Sequence, residues 1–425
     1  HLYGRKCMAE LVRHLKPPTA KTERAIAPFN KRGNLTHPPY HRAIMSSFVE
    51  SESGETKTFD EWPTTLDAYE MKEKIGRGAF ATVYRAVCSA APESQRNVAM
   101  KVMDLEKITG KLEDIRSEVM TMKQCVHPNV LSCLACFSEG ASLYLVMPYM
   151  DRGSALHVMS QMKSSGIRAA GLDESWVKYI LCEVLKGIQY LHDQKLIHRD
   201  IKAGNILLNS NGEVKIADFG VSTFMQEKGE DRNHATFVGT VCWMAPEVME
   251  QMNGYAYGAD VWSIGITALE LAKGYAPYAK HAPMKVLLMT LQQPPPTLDT
   301  YDTNASGTEW ASNSSKFKKF IKNCLKRDPN DRSTVAQLSS LKFVSYSKLA
   351  NLNNAKASFA TEISGAITPI HELVKQRATE NDGTSTVEDN GTKDPAAAIP
   401  AWDFQDVDDD DGFGAAFASA GISGE

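Results

Sequence analysis

The sequence predicts a two-lobed α+β protein, and three observations support that fold class. Between Tyr69 and Met147, apolar and polar residues alternate in short runs, which is typical of strands. From Ser175 onward, apolar residues recur at helical spacing over longer stretches. Irregular sequence flanks this body on both sides. A strand-rich unit followed by a helix-rich unit is expected to form two lobes.

Five strands and one helix are predicted in the first lobe, residues 69–147. The predicted strands are Tyr69–Ile75, Ala81–Val87, Asn97–Leu105, Val130–Ser138 and Leu143–Met147. Between the third and fourth strands a helix is predicted over residues 111–123, because apolar residues recur there at helical spacing: Leu112, Ile115, Val119 and Met122.

The second lobe, residues 151–343, is predicted to be mainly helical. Its longest helical patterns are Trp176–His192 and Gly258–Lys273. We expect the folded body to end near Phe343 and to be followed by a weakly helical extension over residues 344–378. Residues 379–425 contain twelve acidic residues and one lysine, and we expect them to be disordered because they cannot bury enough apolar surface.

Residues 1–68 are expected to be an irregular leader with no helical or alternating period. Met45 is the first plausible start, so our hypothesis is that residues 1–44 are a fragment end or an over-extended reading frame. Peptides from this segment in the native protein would contradict the hypothesis. The alternative is a mitochondrial presequence, since nine basic residues oppose two glutamates here, although the segment lacks an amphipathic period.

Composition disfavours several classes of protein. The 425 residues include 47 Lys plus Arg and 51 Asp plus Glu, a formal net charge of −4, which does not favour nucleic-acid binding. No stretch approaches the roughly 18 apolar residues of a membrane span. Eight scattered cysteines are expected to be reduced thiols, which favours the cytoplasm, with the nucleus as an alternative. The pair Cys133 and Cys136 is interpreted as buried apolar residues rather than half of a metal site.

Two features of the first lobe are suited to phosphate binding. The glycine-rich segment Gly76–Val83 lies between two predicted strands, and its glycines let the backbone approach phosphate oxygens closely. Lys101 lies on the next strand and Glu118 on the helix that follows. A strand lysine positioned by a glutamate can hold phosphates, whereas the alternative is a surface salt bridge.

The most specific signal is a series of short motifs in the second lobe. They are His198-Arg199-Asp200-Ile201-Lys202-Ala203-Gly204-Asn205, then Asp218-Phe219-Gly220, then Ala245-Pro246-Glu247. Phosphoryl transfer needs a proton acceptor, oxygen ligands for magnesium and cations near the phosphate. Asp200 suits the first role. Asn205 and Asp218 suit the second, and Lys202 with Lys101 the third.

These motifs, in this order, resemble the eukaryotic protein kinases over Tyr69–Phe343. The resemblance implies the bilobal eukaryotic protein kinase fold, with a strand-rich N-lobe and a helical C-lobe. Lys202, two residues after Asp200, has the form found in Ser/Thr kinases, and Val221 is similar to kinases that favour Thr as acceptor. The resemblance also implies that Arg332 pairs with Glu247.

The resemblance extends to the sterile-20-like, germinal-centre kinases through four segments, residues 202–208, 217–222, 236–240 and 242–249. Residues 283–287 and Ala81, which replaces a loop glycine, are similar to the branch containing SPAK, Fray and the oxidative-stress-responsive kinase. That branch implies stress or ion-homeostasis signalling. Val241 stands where the family has proline, which leaves the peptide preference open.

The family resemblance implies ATP and Mg²⁺ as cofactors. Asp200, Lys202 and Asn205 would be catalytic, and Asn205 and Asp218 would hold the metal. Met147 would be the gatekeeper, and the backbone of the hinge after it would hydrogen-bond adenine. The implied nucleotide-binding residues are Ile75, Gly76, Gly78, Val83, Ala99, Lys101, Glu118, Met147, Tyr149, Met150 and Leu207.

The resemblance also implies a phosphorylation switch and protein partners. Arg199 precedes Asp200, as in kinases regulated in the activation loop. Thr236 matches the activating threonine, which WNK kinases phosphorylate in the family, and Thr240 matches the threonine that contacts the catalytic aspartate and lysine.

In the acidic tail, Trp402 and Phe404 are similar to the segment by which STRAD and related kinases engage a helical-repeat scaffold, mouse-protein-25. The alternative for this pair is a chance occurrence of two aromatic residues. For the whole chain the alternative is a STRAD-like pseudokinase that acts as an allosteric binding partner. The intact Lys101, Asp200, Asn205 and Asp218 argue against it.

Overall fold

The structure is a computed structural model. It describes residues 62–78, 81–105, 119, 121–218, 241–250, 256–301 and 309–382. Glu118, Thr236, Thr240, Trp402 and Phe404 therefore lie outside the described residues.

The N-lobe contains a five-stranded antiparallel sheet with the strand order β1-β2-β3-β5-β4. Its strands are β1 (Tyr69–Arg77), β2 (Ala81–Cys88), β3 (Asn97–Asp104), β4 (Ala135–Glu139) and β5 (Ser142–Pro148). All five predicted strands are present, and Val119 and residues 121–123 of the predicted helix are helical. The start of β4 was predicted too early. Val130 instead forms a bridge with Ile216, and the Leu131 N–H donates to the Ile216 carbonyl oxygen (2.8 Å), so this stretch belongs to the C-lobe.

The pleat of β3 divides its residues between two apolar clusters. Val98 and Met100 are buried with Tyr69 and Phe137 in the core of the N-lobe. Ala99, between them, belongs to a different cluster that includes C-lobe residues. Because successive side chains point to opposite faces of a strand, Lys101 lies on the same face as Ala99. The sheet therefore presents Lys101 to the cleft between the lobes.

The C-lobe consists of helices and one small sheet. Its helices are α1 (Ala155–Ser164), α2 (Glu174–Asp193), α3 (Pro246–Met249), α4 (Tyr257–Lys273), α5 (Pro283–Gln292), α6 (Glu309–Asn313), α7 (Ser315–Cys324) and α8 (Val335–Ser339). The antiparallel sheet has the order β6-β7-β8, with strands Gly153–Ser154, Ile206–Leu208 and Val214–Ile216. Helices α2 and α4 lie at the centre of the core, and almost all of α4 from Ala259 onward is buried. Cys133 and Cys136 are buried where this core continues into the N-lobe, as interpreted from the sequence.

The predicted pairing of Arg332 with Glu247 is confirmed. The Arg332 guanidinium donates to both carboxylate oxygens of Glu247, at 2.6 and 2.7 Å. It also donates to the Gly258 carbonyl oxygen (2.8 Å), and its side chain is 1% exposed. A paired charge with several hydrogen bonds tolerates such burial. This contact fixes α3, and with it the segment after residue 240, against the base of the C-lobe.

The expectation that folding ends near Phe343 was wrong. Two further helices follow, α9 (Leu349–Ala366) and α10 (Ile370–Asp382), and we call residues 349–382 the C-terminal extension. Phe359 and Ile363 of α9 are buried in the C-lobe core. The Phe359 ring lies 4.9 Å from that of Trp176 and 5.0 Å from that of Tyr179, both on α2.

The loop between β7 and β8 also accommodates α9. Gly212 has a φ of +70°, and a Cβ atom there would lie 2.9 Å from the Lys356 carbonyl oxygen. The Tyr179 hydroxyl donates to the Gly212 carbonyl oxygen (2.7 Å), which ties the loop to α2 beside Phe359. The extension therefore packs as part of the C-lobe. Local periodicity predicted its weak helical character, but its burial depends on distant aromatic residues.

No helix among the described ranges is long and apolar enough to cross a membrane.

We expect Phe359→Ala to lower the free energy of unfolding by about 3–5 kcal/mol, because it leaves a cavity between α9 and α2. Urea denaturation followed by tryptophan fluorescence measures the change. The control is Asn354→Ala, an exposed position on the same helix, which should change stability by less than about 0.5 kcal/mol. Equal stabilities of the two variants would contradict the packing of the extension as part of the fold.

Candidate active site

The loop of residues 198–205 connects the end of α2 to β7, and a carboxylate of α4 determines its conformation. The backbone N–H groups of His198 and Arg199 donate to the two oxygens of Asp260, each at 2.9 Å. The His192 Nε2 atom lies 2.8 Å from Oδ2 of the same carboxylate. Arg199 has a φ of +70°, which is unusual for a residue with a side chain. Asp260 therefore stabilises a strained turn immediately before Asp200.

Two further side chains of α4 bind the second half of the loop. The Ala203 N–H donates to Oε2 of Glu270 (2.9 Å), and the Thr267 hydroxyl donates to the Ile201 carbonyl oxygen (3.1 Å). The Trp243 indole N–H also donates to Glu270 (2.8 Å). Glu270 therefore connects Trp243, just before α3, to the loop that bears Asp200.

Asp200 is held by two of its neighbours in the loop. The Asn205 Nδ2 group donates both to Oδ2 of Asp200 and to its backbone carbonyl oxygen, each at 2.8 Å. The Lys202 ammonium lies 3.4 Å from the same Oδ2 atom. Oδ1 is buried and has no hydrogen-bond partner among the described residues. A buried carboxylate oxygen without a partner is costly, so this atom is suited to accept a hydrogen bond from a bound molecule.

Lys101 and Asp218 form an ion pair between the lobes. The Lys101 ammonium lies 2.9 Å from Oδ1 of Asp218. Burial alone would raise the pKa of Asp218, but Lys101, and more weakly Lys202 and His198, lower the pKa below its ordinary value. Asp218 therefore stays ionised. Like Arg199, it has a left-handed backbone, with a φ of +57°.

His198 connects the catalytic loop to the segment that carries Asp218. Its Nε2 atom lies 3.1 Å from the Ala217 carbonyl oxygen, and its side chain is fully buried. Burial lowers the pKa of His198, although Asp260, Asp200 and Asp218 act in the opposite direction. In addition, the Ala217 N–H donates to the Asn205 carbonyl oxygen (2.8 Å). The two segments that bear Asp200 and Asp218 are thus joined directly.

A buried apolar cluster borders the Lys101–Asp218 pair, since Ala99 and Ala217 both belong to it. It takes residues from both lobes and therefore lies in the cleft. Its members are Ile75, Val83, Ala99, Leu131, Met147, Met150, Leu207, Ala217 and Ile370, and Tyr149 and Val374 pack against it. We call this set the cleft cluster.

The structure brings together most of the residues that the sequence singled out. Six of the predicted nucleotide-binding residues lie in the cleft cluster and Tyr149 packs against it, while Gly76 lies on β1 and Gly78 immediately follows that strand. Asp200, Lys202 and Asn205 contact one another, as do Lys101 and Asp218. The pairing of Lys101 with Glu118 involves a residue outside the described part of the chain.

The predicted site residues did not include Thr267, Glu270 or Ile370. A signal for Glu270 was present, because a glutamate within an otherwise apolar helical pattern needs a buried partner. No comparable local signal exists for Ile370, because the other buried members of the cleft cluster all precede residue 218, far away in the sequence.

Comparison with known proteins agrees with this geometry. Residues 69–344 match the protein kinase domain family. The chain is 45% identical over 293 residues to germinal center kinase 3 of Caenorhabditis elegans and 44% identical over 288 residues to the serine/threonine-protein kinase fray2 of Dictyostelium discoideum. It is 38% identical over 286 residues to the serine/threonine-protein kinase dst1 of the same organism.

These alignments cover 67%, 68% and 67% of the chain but only 48%, 26% and 35% of the respective relatives. The chain thus spans about half the length of the first relative, and less of the other two. The matched residues 69–344 include the strands of the N-lobe, the loop of residues 198–205 and Asp218. The chain belongs to the protein kinase family, and its kinase domain is similar to those of the germinal-centre, sterile-20-like kinases.

Proposed function

We propose that the chain is a serine/threonine protein kinase, which transfers the γ-phosphoryl group of ATP to Ser or Thr hydroxyls of proteins. The observation that carries this proposal is the pair of carboxylates in the cleft. Asp200 is oriented by Asn205 and Lys202, and Asp218 is paired with Lys101 of the other lobe. Two of the relatives are themselves named serine/threonine-protein kinases.

Asp200 is suited to position the attacking hydroxyl and to accept its proton. Its Oδ2 atom is already occupied by Asn205 and Lys202, so Oδ1 is the atom available to the substrate. The Lys202 ammonium lies close to Oδ2 and offsets the negative charge of Asp200. That charge would otherwise repel the transferred phosphoryl group. The acceptor hydroxyl is therefore expected to approach Asp200 from the side of Oδ1.

The donor set in the cleft fits magnesium. Both hydrogen bonds of the Asn205 amide to Asp200 use Nδ2, which leaves its oxygen for a cation. Asp218 uses Oδ1 for Lys101 and retains a second ionised oxygen. Hard cations such as Mg²⁺ prefer these oxygen donors. When bound, Mg²⁺ neutralises charge on the phosphates of ATP.

The cleft cluster supplies the apolar surface that a purine base requires. Ile75, Val83 and Ala99 come from the N-lobe, and Leu207 comes from the C-lobe. The backbone of Tyr149 and Met150 in the hinge would hydrogen-bond the base. Lys101 would contact the phosphates beyond it. Base, phosphates and acceptor then follow one another along the cleft.

The remaining assignments follow the family resemblance. Phosphorylation of Thr236 would switch the enzyme on, with Arg199 as a cation near the activation segment and Thr240 in contact with the catalytic loop. A WNK-like kinase would act upstream, in stress or ion-homeostasis signalling. Trp402 and Phe404 would engage a mouse-protein-25-like scaffold. We place the enzyme in the cytoplasm.

We expect Asp200→Asn to lower phosphate transfer by about 10²–10⁴-fold, because the amide cannot accept the hydroxyl proton. Asp218→Asn should abolish detectable transfer of phosphate. The measurement is incorporation of the labelled γ-phosphate of ATP into Ser and Thr peptide libraries, using protein phosphorylated on Thr236. The control Asp193→Asn alters an exposed carboxylate on α2 and should retain wild-type turnover. A wild-type protein that binds ATP but transfers no phosphate would instead indicate a pseudokinase.

Thr236→Ala is expected to reduce turnover strongly while leaving the unfolding transition unchanged, since it removes the site of the activating phosphate. The matched control is Thr223→Ala, another threonine of the same segment, which should be activated normally. Peptide phosphorylation after treatment with an upstream kinase measures both. Equal turnover of the Thr236→Ala variant and the wild type would refute the switch.

A further inference from the structure

The first residue of α10 is buried in the cleft cluster. Ile370 is 3% exposed, and its neighbours in the cluster include residues that the proposed function assigns to the purine base. Val374, one helical turn later, packs against the same cluster. Ile370 lies beyond the residues 69–344 that match the kinase domain family. The C-terminal extension thus adds a side chain to the cleft that the family match does not include.

The hinge and the residues after it fix the position of Ile370. Its backbone N–H donates to the Asp151 carbonyl oxygen (2.9 Å), and the Tyr149 hydroxyl lies 3.0 Å from Nδ1 of His371. Gly153 has a φ of +72°, and a Cβ atom there would lie 2.6 Å from Cδ1 of Ile370. A side chain at position 153 would therefore displace Ile370. These contacts place Ile370 beside the hinge.

The chain leading into α10 is anchored on α1. The Gln161 side chain donates to the Thr368 carbonyl oxygen (3.0 Å) and accepts from the Thr368 N–H (3.1 Å). Ile367 is 2% exposed in the core of the C-lobe. This pair of hydrogen bonds determines where α10 begins and how Ile370 enters the cleft.

Helix α10 also contacts the N-lobe. The Lys375 ammonium lies 3.3 Å from Oε1 of Glu73 on β1, and Arg85 of β2 donates to the same carboxylate (2.8 and 3.2 Å). Partial burial would raise the pKa of Glu73, but hydrogen bonds from Arg85, from the backbone N–H of Glu73 and, more weakly, from Lys375 lower it to about 2. The carboxylate is thus ionised whenever the protein is folded near neutral pH. Together with the contacts of Ile370 and His371 described above, the pairing of Lys375 with Glu73 means that α10 contacts both lobes and the hinge.

We propose that Ile370 forms an edge of the nucleotide pocket and determines the affinity for the purine base of ATP. The inference rests on the proposed function, since it assumes that the cleft cluster binds ATP. It assigns to a residue of the C-terminal extension a role in nucleotide binding that the matched domain does not contain. Its chemistry is apolar contact with a flat heteroaromatic ring, together with exclusion of water from the hinge.

The test compares two Ile→Ala variants of the full chain. Ile370→Ala should weaken the binding of both Mg-ATP and adenosine by about tenfold, because it removes buried apolar carbons next to the base. Ile363→Ala is the matched control, because Ile363 is also buried, on α9, but packs in the C-lobe core. It should be destabilised to a similar extent and should bind both ligands as the wild type does. Calorimetric titration measures the affinities.

The possible results separate the role of Ile370 from the proposed kinase function. If the wild type binds ATP and Ile370→Ala binds adenosine equally well, the inference is wrong and the proposed function is unaffected. Loss of ATP affinity without loss of adenosine affinity would also overturn it, because the helix would then act on the phosphates through the lobes. If Ile363→Ala lost affinity for adenosine to a similar extent, the loss in both variants would be a general effect of destabilisation, and the inference would be wrong. Failure of the wild type to bind ATP would contradict the proposed function itself.

Should Ile370→Ala not fold, Ile370→Val replaces it. That variant removes a single carbon and should weaken adenosine binding by about threefold. An unchanged affinity would overturn the inference as well.

Discussion

The catalytic loop depends on two buried carboxylates that helix α4 places beneath it. Asp260 accepts the N–H groups of His198 and Arg199, and Glu270 accepts that of Ala203. Burying two charges is costly unless hydrogen bonds compensate each of them, and here the backbone of the loop provides that compensation. The helix and the loop therefore require each other. The left-handed conformation of Arg199, which would be unfavourable in isolation, persists because Asp260 binds the N–H groups of Arg199 and of the residue before it.

The same dependence extends from the loop to the cleft. His198 and Asn205 join the loop to Ala217, so the position of Asp218 follows from that of the loop. Asp218 in turn pairs with Lys101 of the N-lobe, and the ion pair is only 13% and 14% exposed. Low exposure strengthens the attraction between the two charges. This attraction keeps Asp218 ionised, although burial alone would raise its pKa. The relative position of the lobes is thus connected to α4 through a continuous series of hydrogen bonds and one ion pair.

Local patterns in the sequence predicted the strands of the N-lobe and the two long helices to within a few residues, because period-two and helical spacing follow directly from burial on one face. The motifs also identified Asp200, Asn205 and Asp218, whose residue types are dictated by the chemistry. The start of β4 was missed, since Val130 and Leu131 pair with Ile216, a residue of the C-lobe that is distant in the sequence. The burial of Phe359 and Ile370 could not be predicted either, because the aromatic residues and the hinge that cover them lie far away in sequence.

The packing of α9 against α2 has a consequence for biosynthesis. A ribosome adds about 5–20 residues per second and releases the N-terminal part of a domain first, so both lobes emerge before Phe359 does. During that interval Trp176 and Tyr179 lack the aromatic neighbour that they have in the finished fold. A nascent chain that stalls between Phe343 and Leu349 would carry every catalytic residue but would expose apolar surface on α2. We expect chaperones and proteases to act on such a chain more readily than on one in which α9 has packed against α2, because the former exposes more apolar surface.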